Sequence, residues 1–364
     1  MSSADLTRIP VGGSSAYEIV IGDDALTEVP ALLSGSGRAA VIHCQTMKDT
    51  AQAIAGDLRA HGHEAELIAV PDGEQAKDHA VAAHCWNDLA RLGFTRSDAV
   101  VAVGGGATTD LAGFVAATWL RGVPIVQVPT SLTAMVDGAI GGKTAINLSA
   151  GKNLVGAFHA PAGVVCDLRL LDTLPEGELV NGLAEVVRIG FIADPVILDT
   201  IEAGTEAVTT PGTPQLRDII ERAARVKAEI VTEDMRDHGR RQFLNYGHTL
   251  GHAIEKVARY RWRHGSAVSV GMCYAAELGR ITGHLDDATA DRHAEILMML
   301  GLPTTYRPDV WPDLLEAMRI DKKARGSRLR FIVLDGLASP TVLDDPGEEV
   351  LVAAYAPCCR LVAD

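Results

Sequence analysis

Five short runs rich in β-branched and other apolar residues punctuate the first half of the chain: RAAVIHC (38–44), AELIAV (65–70), DAVVAV (98–103), PIVQV (124–128) and GVVCD (163–167). Amphipathic stretches such as Asp78 to Leu92 separate them. A parallel neighbour can be reached only through a long crossover, so strands separated by helices pair in parallel. The alternation therefore predicts a parallel sheet covered by helices. From about Glu178 the pattern changes. Helical periodicity dominates over 214–234, 240–258, 267–283 and 286–300, and only LRFIVL (329–334) reads as a strand. A chain of 364 residues has room for two cores. The predicted organisation is an α/β domain over 1–177 and a mainly helical domain over 178–364, divided within LDTLPEGEL (171–179).

Charge and cysteine content narrow the function classes. A formal charge of −14 disfavours nucleic acid as a partner, because a phosphate polymer needs a basic surface. A small anionic substrate stays open, since a few local Lys and Arg residues can make a positive pocket in an acidic protein. The six cysteines form no CxxC pair, as expected of reduced thiols. The N-terminus MSSADLTRIP lacks the pattern of a signal peptide, and no apolar run approaches the ~18 residues of a membrane span. A soluble, cytoplasmic protein with no membrane partner is expected.

Three constellations carry chemistry. In VAVGGGATTDLAGFVAA (101–117) an apolar run meets three glycines, and a helix is predicted from near Thr108. Glycines let a ligand approach the backbone closely, and a new helix N-terminus offers free N–H groups to a phosphate. The spacing differs from GxGxxG, so a tight turn explains the triplet equally well. In TSLTAMVDGAIGGKTAINLSAGKNLVG (130–156), Asp137, Lys143, Lys152 and Asn153 lie among glycines and small residues. These segments read as loops that aim ammonium groups into a pocket, against phosphate, carboxylate or hydroxyl oxygens. In NYGHTLGH (245–252), His248 and His252 are four residues apart and share one helix face. The glutamate of HExxH is missing, which disfavours a metallopeptidase. With His264 in HGSAVSVGM and Glu185 in NGLAEVVRIGF, two imidazoles and a carboxylate suit a divalent ion, commonly Zn²⁺ with Co²⁺ as the alternative. Spacing alone leaves open which two of His248, His252 and His264 are the ligands.

The motifs DGEQAK, VGGGATTDLAGFVAATWLRG, MVDGAIGGKTAIN, GKNLVGAF, LNYGHTLGHAIE and DKKARG, in that order, resemble the dehydroquinate synthases and their sugar phosphate cyclase relatives. The resemblance implies a Rossmann-like NAD-binding domain, a helical metal-binding domain and a homodimer. It implies that Glu185, His248 and His264 hold the metal and that His252 is an acid/base facing the substrate. Asp72, Glu74, Lys77, Gly105, Gly106, Ala107, Thr108, Thr109, Asp110, Thr130, Ser131 and Thr173, with Lys143 and Lys152, would serve the cofactor. Arg121, Asp137, Lys143, Lys152, Asn153, Lys227, Arg241, Asn245 and one of Lys322 and Lys323 would surround a phosphorylated seven-carbon sugar acid. The implied reaction oxidises that substrate with bound NAD, eliminates phosphate, returns the hydride and closes a carbocycle by an aldol step.

Two positions depart from the pattern the resemblance sets. Arg188 stands where a lysine is usual three residues after the metal glutamate, and Asp237 where a glutamate precedes the substrate arginine. A planar guanidinium does not replace a compact ammonium without consequence. Both changes look more like the aminodehydroquinate synthases of antibiotic pathways, so the amino analogue is the favoured substrate in the sequence reading. The standard 3-dehydroquinate synthase of the shikimate pathway is the alternative, and an NAD- and metal-dependent polyol dehydrogenase a further one. The cluster of Lys143, Lys152, Lys227 and Arg241 argues against the dehydrogenase, whose alcohol substrate needs little anion-binding machinery.

Overall fold

The computed structural model describes residues 5–13, 15–149, 151–237, 239–322 and 328–359. Contacts divide the chain into two compact units: Met1–Leu174 with Lys227–Arg236, and Pro175–Val226 with Asp237–Asp364. The first break falls three residues before the predicted boundary. The return of Lys227–Arg236 to the first unit was not predicted, because helical periodicity does not say what a helix packs on.

The first unit is built on a seven-stranded sheet. Its strands are β1 (Thr7–Val11), β2 (Tyr17–Gly22), β3 (Arg38–Cys44), β4 (Glu64–Val70), β5 (Ala99–Gly104), β6 (Ile125–Pro129) and, after a separate hairpin, β9 (Gly163–Asp167). The hairpin strands are β7 (Lys143–Leu148) and β8 (Gly151–Phe158). The sheet order is β1-β2-β9-β6-β5-β3-β4. All neighbours pair in parallel except β1, which runs antiparallel to β2 at the edge. Each of the five predicted runs is a strand of this sheet. Strands β5, β6 and β9 are buried throughout, which explains why they read as continuous apolar runs instead of alternating. Helices His79–Arg91 and Gly106–Thr118 cover one face through a core containing Leu89, Leu111 and Val115.

The order reverses at β3, which has β4 on one side and β5 on the other. Beyond the carboxyl ends of the strands flanking such a reversal, open α/β sheets hold their ligands. The glycine triplet lies at the end of β5. Its helix starts at Gly106, two residues before the predicted start, because Gly105 in an extended conformation already serves as the N-cap.

In the second unit the helix His264–Ile281 is central, with thirteen of its eighteen residues buried. Helices Glu176–Ile192, His248–Val257 and Asp287–Met299 pack around it. Two glycines set the spacing. A Cβ on Gly265 would lie 1.9 Å from the Asn181 carbonyl oxygen, and one on Gly271 would lie 1.9 Å from that of Gly247. Any side chain there would push the helices apart.

Three expectations are corrected. The segment 240–258 is a 3-10 turn, Arg240–Asn245, then the helix His248–Val257, separated at Gly247 by a φ of +79°. LRFIVL is joined by a second strand of the helical unit, Pro340–Asp344, whose proline opens an edge strand and so hid it. Lys143 and Lys152 lie on the strands of the β7–β8 hairpin instead of in loops. Among the described residues no helix is long and apolar enough to cross a membrane.

Candidate functional site

Three helices of the second unit bring one side chain each to a common point. Glu185 is deep in Glu176–Ile192, His248 opens its helix after the Gly247 break, and His264 opens the central helix beside Gly265. Glu185 Oε1 lies 3.1 Å from His264 Nε2 and 3.5 Å from His248 Nε2. Donor atoms bound at ~2.0–2.1 Å to one tetrahedral ion are about 3.3 Å apart, so the set matches a single small divalent cation. Glu185 is wholly buried and His248 nearly so.

Hydrogen bonds decide which nitrogens face the point. His248 Nδ1 donates to the Tyr246 carbonyl at 3.1 Å, which leaves Nε2 as the lone-pair atom. His264 Nδ1 donates to Glu255 Oε2 at 3.1 Å. Such an outer carboxylate fixes ring orientation and raises ligand basicity. Burial pushes the His248 imidazole down to about 3, against the pull of Glu185, so it is neutral. Burial also lowers His264, but its bonds to Glu185 and Glu255 prevail and push it up to about 10. Desolvation raises Glu185, yet Arg188 and the charged His264 hold it well below the usual carboxylate range. Two buried carboxylates thus retain a proton on one imidazole far above neutrality. A divalent ion would replace that proton, and the donor chemistry fits zinc or cobalt.

The other oxygen of Glu185 meets Arg188. Arg188 Nε is 2.6 Å from Glu185 Oε2, both side chains being essentially inaccessible. The contact is an ion pair whose N–H is poorly aligned for a hydrogen bond. Arg188 Nη1 also donates to the Leu244 carbonyl.

His252 is exposed one turn along from His248, with the rings edge to face at 5.3 Å between centroids. A second triad of close donor atoms combines His252, Glu255 and His264. It is the less enclosed of the two, and in it Glu255 already accepts from His264. Glu255, in HAIE, carries no sequence signal of its bond to His264. Nor does Tyr246, whose hydroxyl is 2.8 Å from His293 Nε2. His293 Nδ1 donates to the Thr289 carbonyl at 2.7 Å, so its Nε2 accepts from Tyr246.

In the first unit, the residues expected around a cofactor gather at the carboxyl ends of parallel strands. Asp72 follows β4, Gly105 to Asp110 follow β5, and Thr130 and Ser131 follow β6. A Cβ on Gly104 would lie 2.6 Å from the Thr108 Cβ, so this glycine allows close strand–helix packing. Gly106 instead has nothing within 4 Å of its Cβ position and leaves room for a ligand against the backbone. Asp72 accepts from the Thr46 amide at 3.0 Å and hydroxyl at 2.8 Å, a partner after β3 that the sequence did not reveal. Buried Lys77 donates to Asp110 at 2.5 Å and to Asn153 Oδ1. Asn153, at φ +56°, donates its amide to Asn147 Oδ1 at 2.9 Å. Asn147 donates to Glu74 at 2.6 Å, and Lys152 pairs with Glu74 at 3.6 Å. DGEQAK, the helix start and the hairpin therefore form one polar cluster.

The remaining candidates are more scattered. Lys227 is buried and paired with Asp137, donating also to the Asp137 carbonyl at 2.5 Å. Lys143 is exposed at the start of β7, and Thr173 is exposed after β9. Arg241 is buried in the turn that leads to the helix His248–Val257, and Asn245 donates to the Gln242 carbonyl at 3.1 Å. Asp237 adopts φ +63°. Arg121 follows the C-terminal end of Gly106–Thr118, a helix length of about 20 Å from the glycine turn, and does not join the cluster. Lys322 ends the helix Trp311–Lys322, and Lys323 lies outside the described residues.

Comparison with known proteins gives consistent results. Family models described as 3-dehydroquinate synthase N-terminal and C-terminal match residues 67–181 and 182–324. A Streptomyces coelicolor protein named 3-dehydroquinate synthase is 58% identical over 359 residues, covering 98% of this chain and 99% of that protein. A 2-epi-5-epi-valiolone synthase from Streptomyces hygroscopicus subsp. jinggangensis, solved with NAD⁺ and Zn²⁺ bound, superposes with a TM-score of 0.87 at 25% identity, covering 97% of this chain and 99% of that one. A probable glycerol dehydrogenase from Sinorhizobium meliloti shares the fold alone, with a TM-score of 0.68 at 17% identity over 92% of this chain and 94% of that one.

Proposed function

We propose, since this chain belongs to the 3-dehydroquinate synthase family, that it cyclises the seven-carbon keto-acid sugar phosphate to 3-dehydroquinate with loss of phosphate. The observation that carries this reading is 58% identity along nearly the whole length of a protein of that name. The reading includes a homodimer, which sedimentation of the purified chain tests. The amino analogue, first in the sequence reading, rested on Arg188 and Asp237. Arg188 contacts Glu185 and the Leu244 carbonyl, both parts of the protein, so its substitution speaks to the metal ligand more directly than to a substrate. The oxygen substrate is therefore the one proposed.

In this reading Glu185, His248 and His264 hold a divalent ion, and the cluster after β4, β5 and β6 holds NAD. When bound, the ion supplies a Lewis acid for substrate oxygens and NAD a reversible hydride acceptor. The chain's own residues bind, orient and move protons. Burial keeps His248 neutral and its lone pair available. Glu255 holds the His264 ring in one orientation. His252, exposed beside the donor set, takes up and returns a proton at an imidazole nitrogen. Lys143 and Lys152 offer ammonium groups to the phosphate and carboxylate, while Asp137 pairs with the buried Lys227 and holds it in place.

The test compares phosphate release from the seven-carbon oxo-acid phosphate and from its amino analogue while NADH absorbance is followed. The expected result is a kcat/KM for the oxygen substrate at least about tenfold higher, with no net NADH. Preference for the amino analogue would move the chain to that branch. NADH accumulating with a simple polyol would make it a dehydrogenase.

A further inference from the structure

We propose that Arg188 is a positioning residue that keeps Glu185 a one-oxygen ligand and so reserves coordination sites of the ion for substrate. The inference rests on the metal-site reading above and deepens it. The two carboxylate oxygens of Glu185 face different partners. Oε1 is turned to the His248 and His264 Nε2 atoms at 3.5 and 3.1 Å, while Oε2 is held by Arg188 at 2.6 Å. Arg188 sits three residues after Glu185 on one helix face, and its Nη1 also donates to the Leu244 carbonyl.

A planar guanidinium engages two acceptors at once in a fixed relation, whereas an ammonium has one nitrogen and no plane. For both oxygens to bind the ion, Oε2 would have to turn away from Arg188 and give up an ion pair in a site 1% exposed. Three single-atom protein ligands leave positions open for substrate oxygens. The arrangement has a cost: a fixed positive charge near a dication weakens its binding. Glu255 acts in the opposite sense, because its carboxylate draws on the His264 Nδ1–H and strengthens Nε2 as a donor. Arg188 and Glu255 therefore shift metal affinity in opposite directions. Loss of stability alone would shift both the same way.

The experiment measures zinc affinity of the full chain by competition with a chromophoric chelator, together with the visible absorption of the cobalt-loaded protein. Wild type is compared with Arg188→Met, Arg188→Lys and Glu255→Gln. We expect zinc to bind about tenfold tighter to Arg188→Met and about tenfold weaker to Glu255→Gln, with Arg188→Lys between wild type and the methionine variant. Cobalt absorption should weaken in Arg188→Met as the freed oxygen raises the coordination number. Arg188→Lys keeps a cation beside Glu185, so it supplies the comparison if the methionine variant does not fold. Zinc binding no tighter than wild type, or an unchanged cobalt spectrum, in the folded Arg188 variants overturns the inference while leaving the metal site intact. A wild-type chain that binds no zinc overturns the metal-site reading and this inference with it.

Discussion

The glycine turn of the first unit and the donor set of the second solve binding in different ways. At the turn, recognition falls to the backbone: Gly106 has empty space where a side chain would stand, and the groups on offer are N–H bonds at a helix start. At the donor set, side chains do the work. Glu185, Arg188, His248 and Glu255 are buried, and each charge is balanced by a neighbour. The first arrangement tolerates little added volume. The second tolerates little change in charge. Each can be broken by a substitution that the other would accept.

The largest effect is expected at His264. His264→Ala removes a donor atom and leaves Glu255 buried without its imidazole, so metal content measured by atomic emission should fall to background and turnover by more than about 1,000-fold. A metal-free variant with full activity would end the metal-site reading. His252→Ala sharpens the distinction between neighbouring histidines. Metal content should stay at the wild-type level while kcat falls on the order of 100-fold or more, the usual range for a lost acid/base. Loss of metal from that variant would instead favour the triad of His252, Glu255 and His264.

At the turn, Gly106→Ala adds a methyl that meets no protein atom within 4 Å. Its melting temperature should match wild type, while calorimetry should show NAD binding weakened roughly tenfold, an overpacking cost of about 1–3 kcal/mol. Equal loss of stability and affinity would mean that the space serves packing and not a ligand.

The smallest effect concerns pH. Burial holds the His293 imidazole down at about 3 against an ordinary 6.5, with Tyr246 donating to it and Phe191 stacked on it at 3.4 Å. The unfolded chain therefore binds the extra proton between those values, and stability falls as pH drops below 6.5. Denaturation at pH 7 and 5.5 should show this group costing about 1 kcal/mol at the lower pH, and His293→Gln should remove that share. An unchanged slope in the variant would exclude His293 as its source.

Local rules made much of the molecule legible. Five of the seven strands of the sheet, the glycine turn after β5 and the helices His264–Ile281 and Asp287–Met299 follow from periodicity and turn chemistry within short windows, whereas β1 and β2 were not foreseen. The β7–β8 hairpin and the strand Pro340–Asp344 escaped because glycine-rich and proline-led strands lack a clear alternation. The pairing of Asp72 with Thr46 escaped because the partners are 26 residues apart and sit on different strand ends. Arg188 was legible as a substitution but not as a contact.

By itself, the sequence determined the supply of parts: strand and helix alternation, the glycines, the residue types able to hold a metal, and membership of a family. The tertiary structure decided which parts meet. Glu185 and His264 are 79 residues apart, and their approach depends on glycines at 265 and 271 letting three helices close to contact. Periodicity fixes the face a side chain occupies on its own helix, but only packing between helices fixes the distance to a side chain on another.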